Sequence, residues 1–197
     1  MPTTSTFAID VPASLLARAR SGERTAFEQL YRRFERPVFN LALRICGDRD
    51  EAADVLQDTM LKLFDRLGDF RGVDGAPFWA WLRRVAVNEA LMRLRRGDRL
   101  AQVLPGDDLL PDDLAPPPAA AADAAALQRA LAALPAATRS VLWLYHAEGY
   151  THEEIATLME RTPSFSKSQL ARGGRRLRAL LEPESLIPAP LAEAAHA

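Results

Sequence analysis

The chain has 197 residues, 48% of them apolar, with Lys plus Arg at 25 and Asp plus Glu at 26 for a net charge of −1. That length holds one ordinary domain or two small ones, and the apolar share excludes a chain disordered throughout. The near-cancelled charge excludes a uniformly basic nucleic-acid coat and a uniformly acidic tail, but not local patches.

The polar start at Met1–Asp10 carries no signal-peptide core, and no apolar run approaches the ~18 residues of a spanning helix, so the expected location is the cytoplasm. Phe27, Leu30, Phe34, Val38, Leu41 and Ile45 lie at spacings 0, 3, 7, 11, 14 and 18, one stripe of a 3.6-residue period. Pro37 interrupts this helix and predicts a kink or restart there. Cys46, the only cysteine, excludes a disulfide framework and a Cys-based zinc site, and reads as a small core residue. Gly47 offers a stop, and Asp50 is the expected cap of the next helix.

In that next helix Ala53, Leu56, Met60, Leu63 and Phe64 form the expected buried stripe. Asp54, Gln57, Asp58 and Leu61 form a second stripe at 0, 3, 4 and 7, which suits either a protein-docking surface or an ordinary solvated face. Gly68–Ala76, with three glycines, reads as a loop, and Pro77 opens a helix running to about Arg96. Phe78, Trp81, Leu82 and Val85 are expected inward on it, with Trp79 pointing elsewhere. Arg83, Arg84, Arg93, Arg95, Arg96 and Arg99 make it basic, and Arg84, Asn88 and Arg95 share a stripe. With Phe70 and Trp79 close by, this is the mixture of phosphate-neutralising and stacking groups that single-stranded nucleic acid needs.

Residues 100–124 hold five Pro, seven Ala and five Asp without one Lys or Arg, the composition of a flexible linker. They divide the chain into a first unit at 12–99 and a second at 125–181, and the Pro- and Glu-containing residues 182–197 read as a frayed tail. The second unit has a short apolar helix at Leu127–Leu134, another at Thr138–Ala147, and a capping box made by Thr151 and Glu154 before a third. Thr162 and Pro163 then start a basic helix with Leu170, Leu177 and Leu181 expected inward. No strand pattern of useful length is present, so the fold class is all-α: two small helical domains, the second containing a helix-turn-helix.

Between Arg161 and Arg178 stand six basic residues and no acidic one. Ser164, Phe165, Lys167, Ser168 and Gln169 occupy the first turns of the final helix, where base-reading side chains belong; Arg172, Arg175 and Arg176 follow as phosphate partners. Gly173 and Gly174 each cost a helix up to ~1 kcal/mol relative to Ala, which predicts a second unit loosely ordered until it meets DNA or a partner. Catalytic readings fail. His152-Glu153-Glu154-Ile155-Ala156 begins like a zincin helix but has Ala156 where the second histidine must stand, and no other constellation or cofactor site is found.

In order, the chain resembles the sigma-70 family, and within it the extracytoplasmic-function (ECF) group of two-domain sigma factors. Ala26-Phe27-Glu28-Gln29-Leu30-Tyr31, then Glu51 through Thr59, then Phe78 through Asn88 and the Arg93–Arg96 cluster are similar to region 2. Leu134-Pro135, Glu154-Ile155-Ala156 and Lys167 through Arg172 are similar to region 4. The resemblance implies a factor that binds core RNA polymerase, touching β and β′, and directs it to promoter DNA without chemistry of its own. It assigns Asp54, Gln57, Asp58 and Leu61 to the β′ clamp helices. It assigns Phe70, Trp79, Arg84, Asn88, Arg93, Arg95 and Arg96 to the −10 element, and Ser164, Phe165, Lys167, Ser168, Gln169, Arg172, Arg175 and Arg176 to the −35 element. An anti-sigma partner is common in the family, though no residue here identifies one. Met92, Val87 and the turn Ser164-Phe165-Ser166 depart from the family's usual Asp, Arg and Gly-Thr-Val, and the last change alters the expected base preference. The rival reading is a core-independent helix-turn-helix regulator, which requires a symmetric dimer on paired half-sites.

Overall fold

The computed structural model describes residues 9–68, residue 70, residues 77–97 and residues 124–181. Among them are eight helices and no strand: α1 (Ala13–Arg20), α2 (Arg24–Cys46), α3 (Arg49–Arg66), α4 (Phe78–Arg96), α5 (Ala124–Ala132), α6 (Ala136–His146), α7 (His152–Met159) and α8 (Pro163–Leu181). Most of the expected Gly68–Ala76 loop, Arg99, the linker up to residue 123 and the 182–197 tail lie outside the described residues.

Helices α2, α3 and α4 form a bundle with α1 along α2. The stripe on α2 is buried as its period requires: Leu30, Phe34, Val38, Leu41 and Ile45 face the core, with Phe27 half-buried. Pro37 leaves α2 unbroken. Its missing N–H frees a carbonyl beside the exposed Arg33 and Arg36, where water can take the lost bond. Gly47, at φ 76°, closes α2 in the left-handed conformation. Asp48, rather than Asp50, caps α3, accepting hydrogen bonds at 3.0 Å from the amides of both Asp50 and Glu51. A cap must precede the first helical turn to reach those amides, and Asp50 already lies inside it.

The inward face of α3 is Ala52, Val55, Thr59, Met60 and Leu63, so the expected stripe is displaced: Ala53 and Phe64 are exposed and Leu56 half-buried. On α4 the two tryptophans exchange the expected roles. Trp79 is buried and stacks on Phe34 at 5.5 Å, whereas Trp81 and Val85 are half-buried. The cause is that α4 is covered on several sides, by α2, α3 and α7, so a single-stripe reading of it fails. Its one buried carboxylate, Glu89, is neutralised by Lys62. At the other end Arg20 of α1 donates to the carbonyls of Leu67 and Phe70 and lies over the Phe70 ring, holding the end of α3.

In the second unit α8 packs on α6 and α7, with α5 along its flank. Leu131, Leu134 and Leu142 form a small cluster there with half-buried Leu170 and Leu177. The capping box of Thr151 and Glu154 is complete, and the Thr162 hydroxyl accepts from the Phe165 amide at 3.2 Å at the start of α8. The residues of α8 buried deepest are not leucines but Ser166, Gln169 and Gly173. The two units also share apolar contact: Ala137, Val141, Leu144 and Ile155 belong to the same cluster as the core of the first unit.

Candidate protein and nucleic-acid interfaces

On α3, Gln57 and Leu61 point to solvent, Leu61 being 56% exposed. Asp54 and Asp58 are half-buried, and Asp54 is engaged by Arg93 of α4. The same face carries Phe64, 65% exposed, whose ring meets Phe27 edge-on at 5.0 Å, with the exposed Tyr31 nearby in sequence to Phe27 on α2. Sequence reading assigned Phe64 to the core. The spacing 57, 61, 64 is 0, 4, 7, so the signal for an apolar extension of this face was available. Large exposed apolar side chains grouped together mark a surface that another molecule covers.

The basic helix α4 divides into engaged and free groups. Arg93 pairs with Asp54, Arg95 with Glu160, and Arg83 with Glu148; Arg84 and Arg96 are exposed with no ion pair among the described residues. Asn88 is half-buried. The two aromatics expected to stack on bases are both core residues: Trp79 is 7% exposed, and Phe70 packs edge-on against Phe78 at 5.2 Å and against Trp81 at 5.4 Å. In this arrangement neither offers an open ring face.

The turn before α8 passes through Glu160 in the left-handed conformation, at φ 55°, giving the compact helix-turn-helix geometry. Ser164, Lys167, Arg175 and Arg176 are exposed, and Phe165 is half-buried under the Arg161 guanidinium at 5.9 Å. Ser168 and Arg172 are half-buried and joined, the Arg172 guanidinium donating to the Ser168 hydroxyl at 2.9 Å. Gln169 is the exception among the expected base readers. It is fully buried, its carbonyl accepts from the Thr138 hydroxyl at 2.7 Å, and it faces α6 rather than the open side. Ser166 is likewise buried, 2.9 Å from Nδ1 of His152, whose ring stacks on Tyr145. Sequence reading also passed over Ala171, exposed between Lys167 and Arg175 at four-residue steps. None of Arg161, Lys167, Arg172, Arg175, Arg176 and Arg178 has an ion pair among the described residues. The face is therefore an uncompensated positive field around a helix N-terminus, suited to a phosphate backbone and to base edges between its strands.

A helical bundle with an exposed mixed face, followed by a helix-turn-helix with a free basic helix, defines a DNA-directed protein built in two parts. Family models agree on both: Sigma-70 region 2 matches residues 30–100, and Sigma-70, region 4 matches residues 124–177. The chain is 32% identical over 181 residues to the RNA polymerase sigma-H factor of Pseudomonas aeruginosa, covering 86% of this chain and 93% of that one. It is 36% identical over 169 residues to the ECF RNA polymerase sigma factor SigM of Mycobacterium tuberculosis, covering 86% and 84%. Its fold is similar to that of the sigma factor RpoE solved with the anti-sigma factor NepR from Bartonella quintana, with a TM-score of 0.52, 24% identity, and 80% and 98% of the two chains covered. The chain belongs to the sigma-70 family of RNA polymerase sigma factors, in its ECF group. No described helix is long and apolar enough to cross a membrane.

Proposed function

We propose that this chain acts as an ECF-type sigma factor, binding core RNA polymerase through the α3 face and bringing it to promoters read by α4 and α8. The observation that carries this reading is the combination, in one chain, of the exposed Gln57–Leu61–Phe64 face with the unpaired basic face of α8. A core-independent regulator would account for the second unit alone, and the match of the first unit to region 2 supports the sigma-factor reading over it.

In this mechanism α8 enters the major groove with its N-terminal turns. Lys167 and Ser164 face base edges, while Arg172, Arg175 and Arg176 neutralise phosphates on either side. With the Phe165 amide taken by Thr162 and Pro163 lacking an N–H, the Ser164 amide is the first-turn donor left for a phosphate. Arg84, Arg96 and Asn88 of α4 track the opened −10 strand. Because Phe70 and Trp79 are core residues in the present arrangement, base capture in this segment needs either a local repacking or another aromatic. Binding to polymerase and to captured bases offsets the cost of unpairing, and the protein performs no chemistry.

The reading is tested by measuring binding to core polymerase with Gln57→Ala and Leu61→Ser. Both positions are exposed, so the expected result is weaker binding at unchanged thermal stability. Core affinity equal to that of the parent in both variants would remove the α3 face from this role.

A further inference from the structure

A cleft of about 270 Å³ opens where the last turn of α2, the start of α3 and the helices α5 and α6 come together. Four arginines line it, each from a different helix: Arg44 of α2, Arg49 of α3, Arg129 of α5 and Arg139 of α6. Leu43 and Leu131 supply apolar wall between them, and no acidic side chain is among the described residues of the lining. Asp48, next to Arg49 in sequence, spends a carboxylate oxygen on the amides of Asp50 and Glu51. Like charges gathered about one concavity repel each other, and a bound anion relieves that repulsion.

The four guanidinia divide into one anchor and three donors. Arg139 is buried, and its N–H groups go to the carbonyls of Ile45, Cys46 and Leu134, so it shapes the cleft rather than serving a ligand. Gly47 admits it: a Cβ there would lie 2.6 Å from the centre of the Arg139 guanidinium. The Arg44 guanidinium lies over the Trp143 ring at 4.5 Å, and that of Arg49 over the Phe39 ring at 5.6 Å. A ring beneath a guanidinium fixes its place while leaving the in-plane N–H groups able to donate. Neither these two nor the exposed Arg129 has an ion pair among the described residues.

We propose that this cleft binds a small phosphomonoester, its phosphate held by Arg44, Arg49 and Arg129 and its apolar body laid against Leu43 and Leu131. Three guanidinia from three helices match the three terminal oxygens of a phosphate, which carries close to two negative charges at neutral pH. A carboxylate has two oxygens and one charge, and leaves one of the three arginines unserved. The volume lies just under the ~300–1,000 Å³ of pockets for drug-sized ligands, which selects one small molecule over a peptide or a nucleic-acid strand. Neither α8 nor the exposed Gln57–Leu61–Phe64 face contributes to the lining, so this site is additional to the promoter and polymerase surfaces.

The test is calorimetric titration of the full chain, in phosphate-free buffer, with phenyl phosphate, inorganic phosphate and benzoate in turn. The expected result is saturable one-site binding of phenyl phosphate, with inorganic phosphate and benzoate each about tenfold weaker. Arg49→Gln and Arg129→Gln stand at exposed positions, and each is expected to weaken phenyl phosphate about tenfold with helix content unchanged by circular dichroism. Absence of saturable binding overturns the site. Binding that both variants leave unaltered places the anion elsewhere on the molecule and overturns it equally. Benzoate as tight as phenyl phosphate overturns the phosphate assignment, and inorganic phosphate as tight overturns the apolar body. The titration involves neither polymerase nor DNA, so its failure leaves the sigma-factor reading standing.

Discussion

Gly173 and Gly174 are neighbours in sequence and opposites in the fold. A Cβ on Gly173 would lie 2.5 Å from the Thr138 methyl and 2.9 Å from Leu142, whereas Gly174 meets nothing within 4 Å. Gly173 is what lets α8 approach α6; only Gly174 carries the propensity cost without a packing return. Gly173→Ala is therefore expected to destabilise by ~1–3 kcal/mol through overpacking, and Gly174→Ala to stabilise by up to ~1 kcal/mol, read as opposite shifts of the denaturation midpoint. Counting both glycines as helix costs therefore overstates the penalty on α8. Gln169 is buried on a face that an apolar pattern does not mark. Positions 166, 169 and 173 form the deepest buried face of α8, but they hold Ser, Gln and Gly, so a search for apolar periodicity passes over them. Gln169→Met loses the Thr138 bond but also removes a buried Nε2 that has no partner among the described residues, so it should change stability by less than ~1 kcal/mol and leave the selected −35 motif unchanged, while Lys167→Ala, at an exposed position, should relax the motif at one base pair. A motif altered by Gln169→Met would return that side chain to the reading surface.

At the scale of elements, helix starts and stops were the most legible features, because they depend on a few residues acting locally. Gly47, the Thr151–Glu154 box and the Thr162–Pro163 start all stand where their chemistry places them. Helix faces were harder where burial is not one-sided. On α4 both Trp79 and Leu82 are buried alongside Val87 and Leu91, so no single stripe distinguishes core from surface. The outer face of α3 was legible as far as Leu61, and Phe64 extends it. Phe64→Ser is expected to weaken core binding by ~1–2 kcal/mol, the range of an aromatic contact at an interface, with a stability loss no larger than the ~1 kcal/mol of its edge-on contact with Phe27, since the ring is otherwise mostly in water. Equilibrium binding to core and a thermal melt together check this. A stability loss with unchanged affinity would make Phe64 a packing residue.

For the whole molecule, the sequence shows two units and their order, but not how they meet. The contacts of Arg83 with Glu148 and of Arg139 with Cys46 join residues 65 and 93 apart, and no periodicity or local motif anticipates such pairs. The same long-range pairing explains why several arginines expected to be free for DNA are engaged. The central claim, that this chain directs core polymerase to promoters, is tested most directly by transcription from a randomised promoter library with and without the protein. New transcript starts that share two spaced motifs are the predicted result. No new starts, with the protein folded and the core active, would contradict the account.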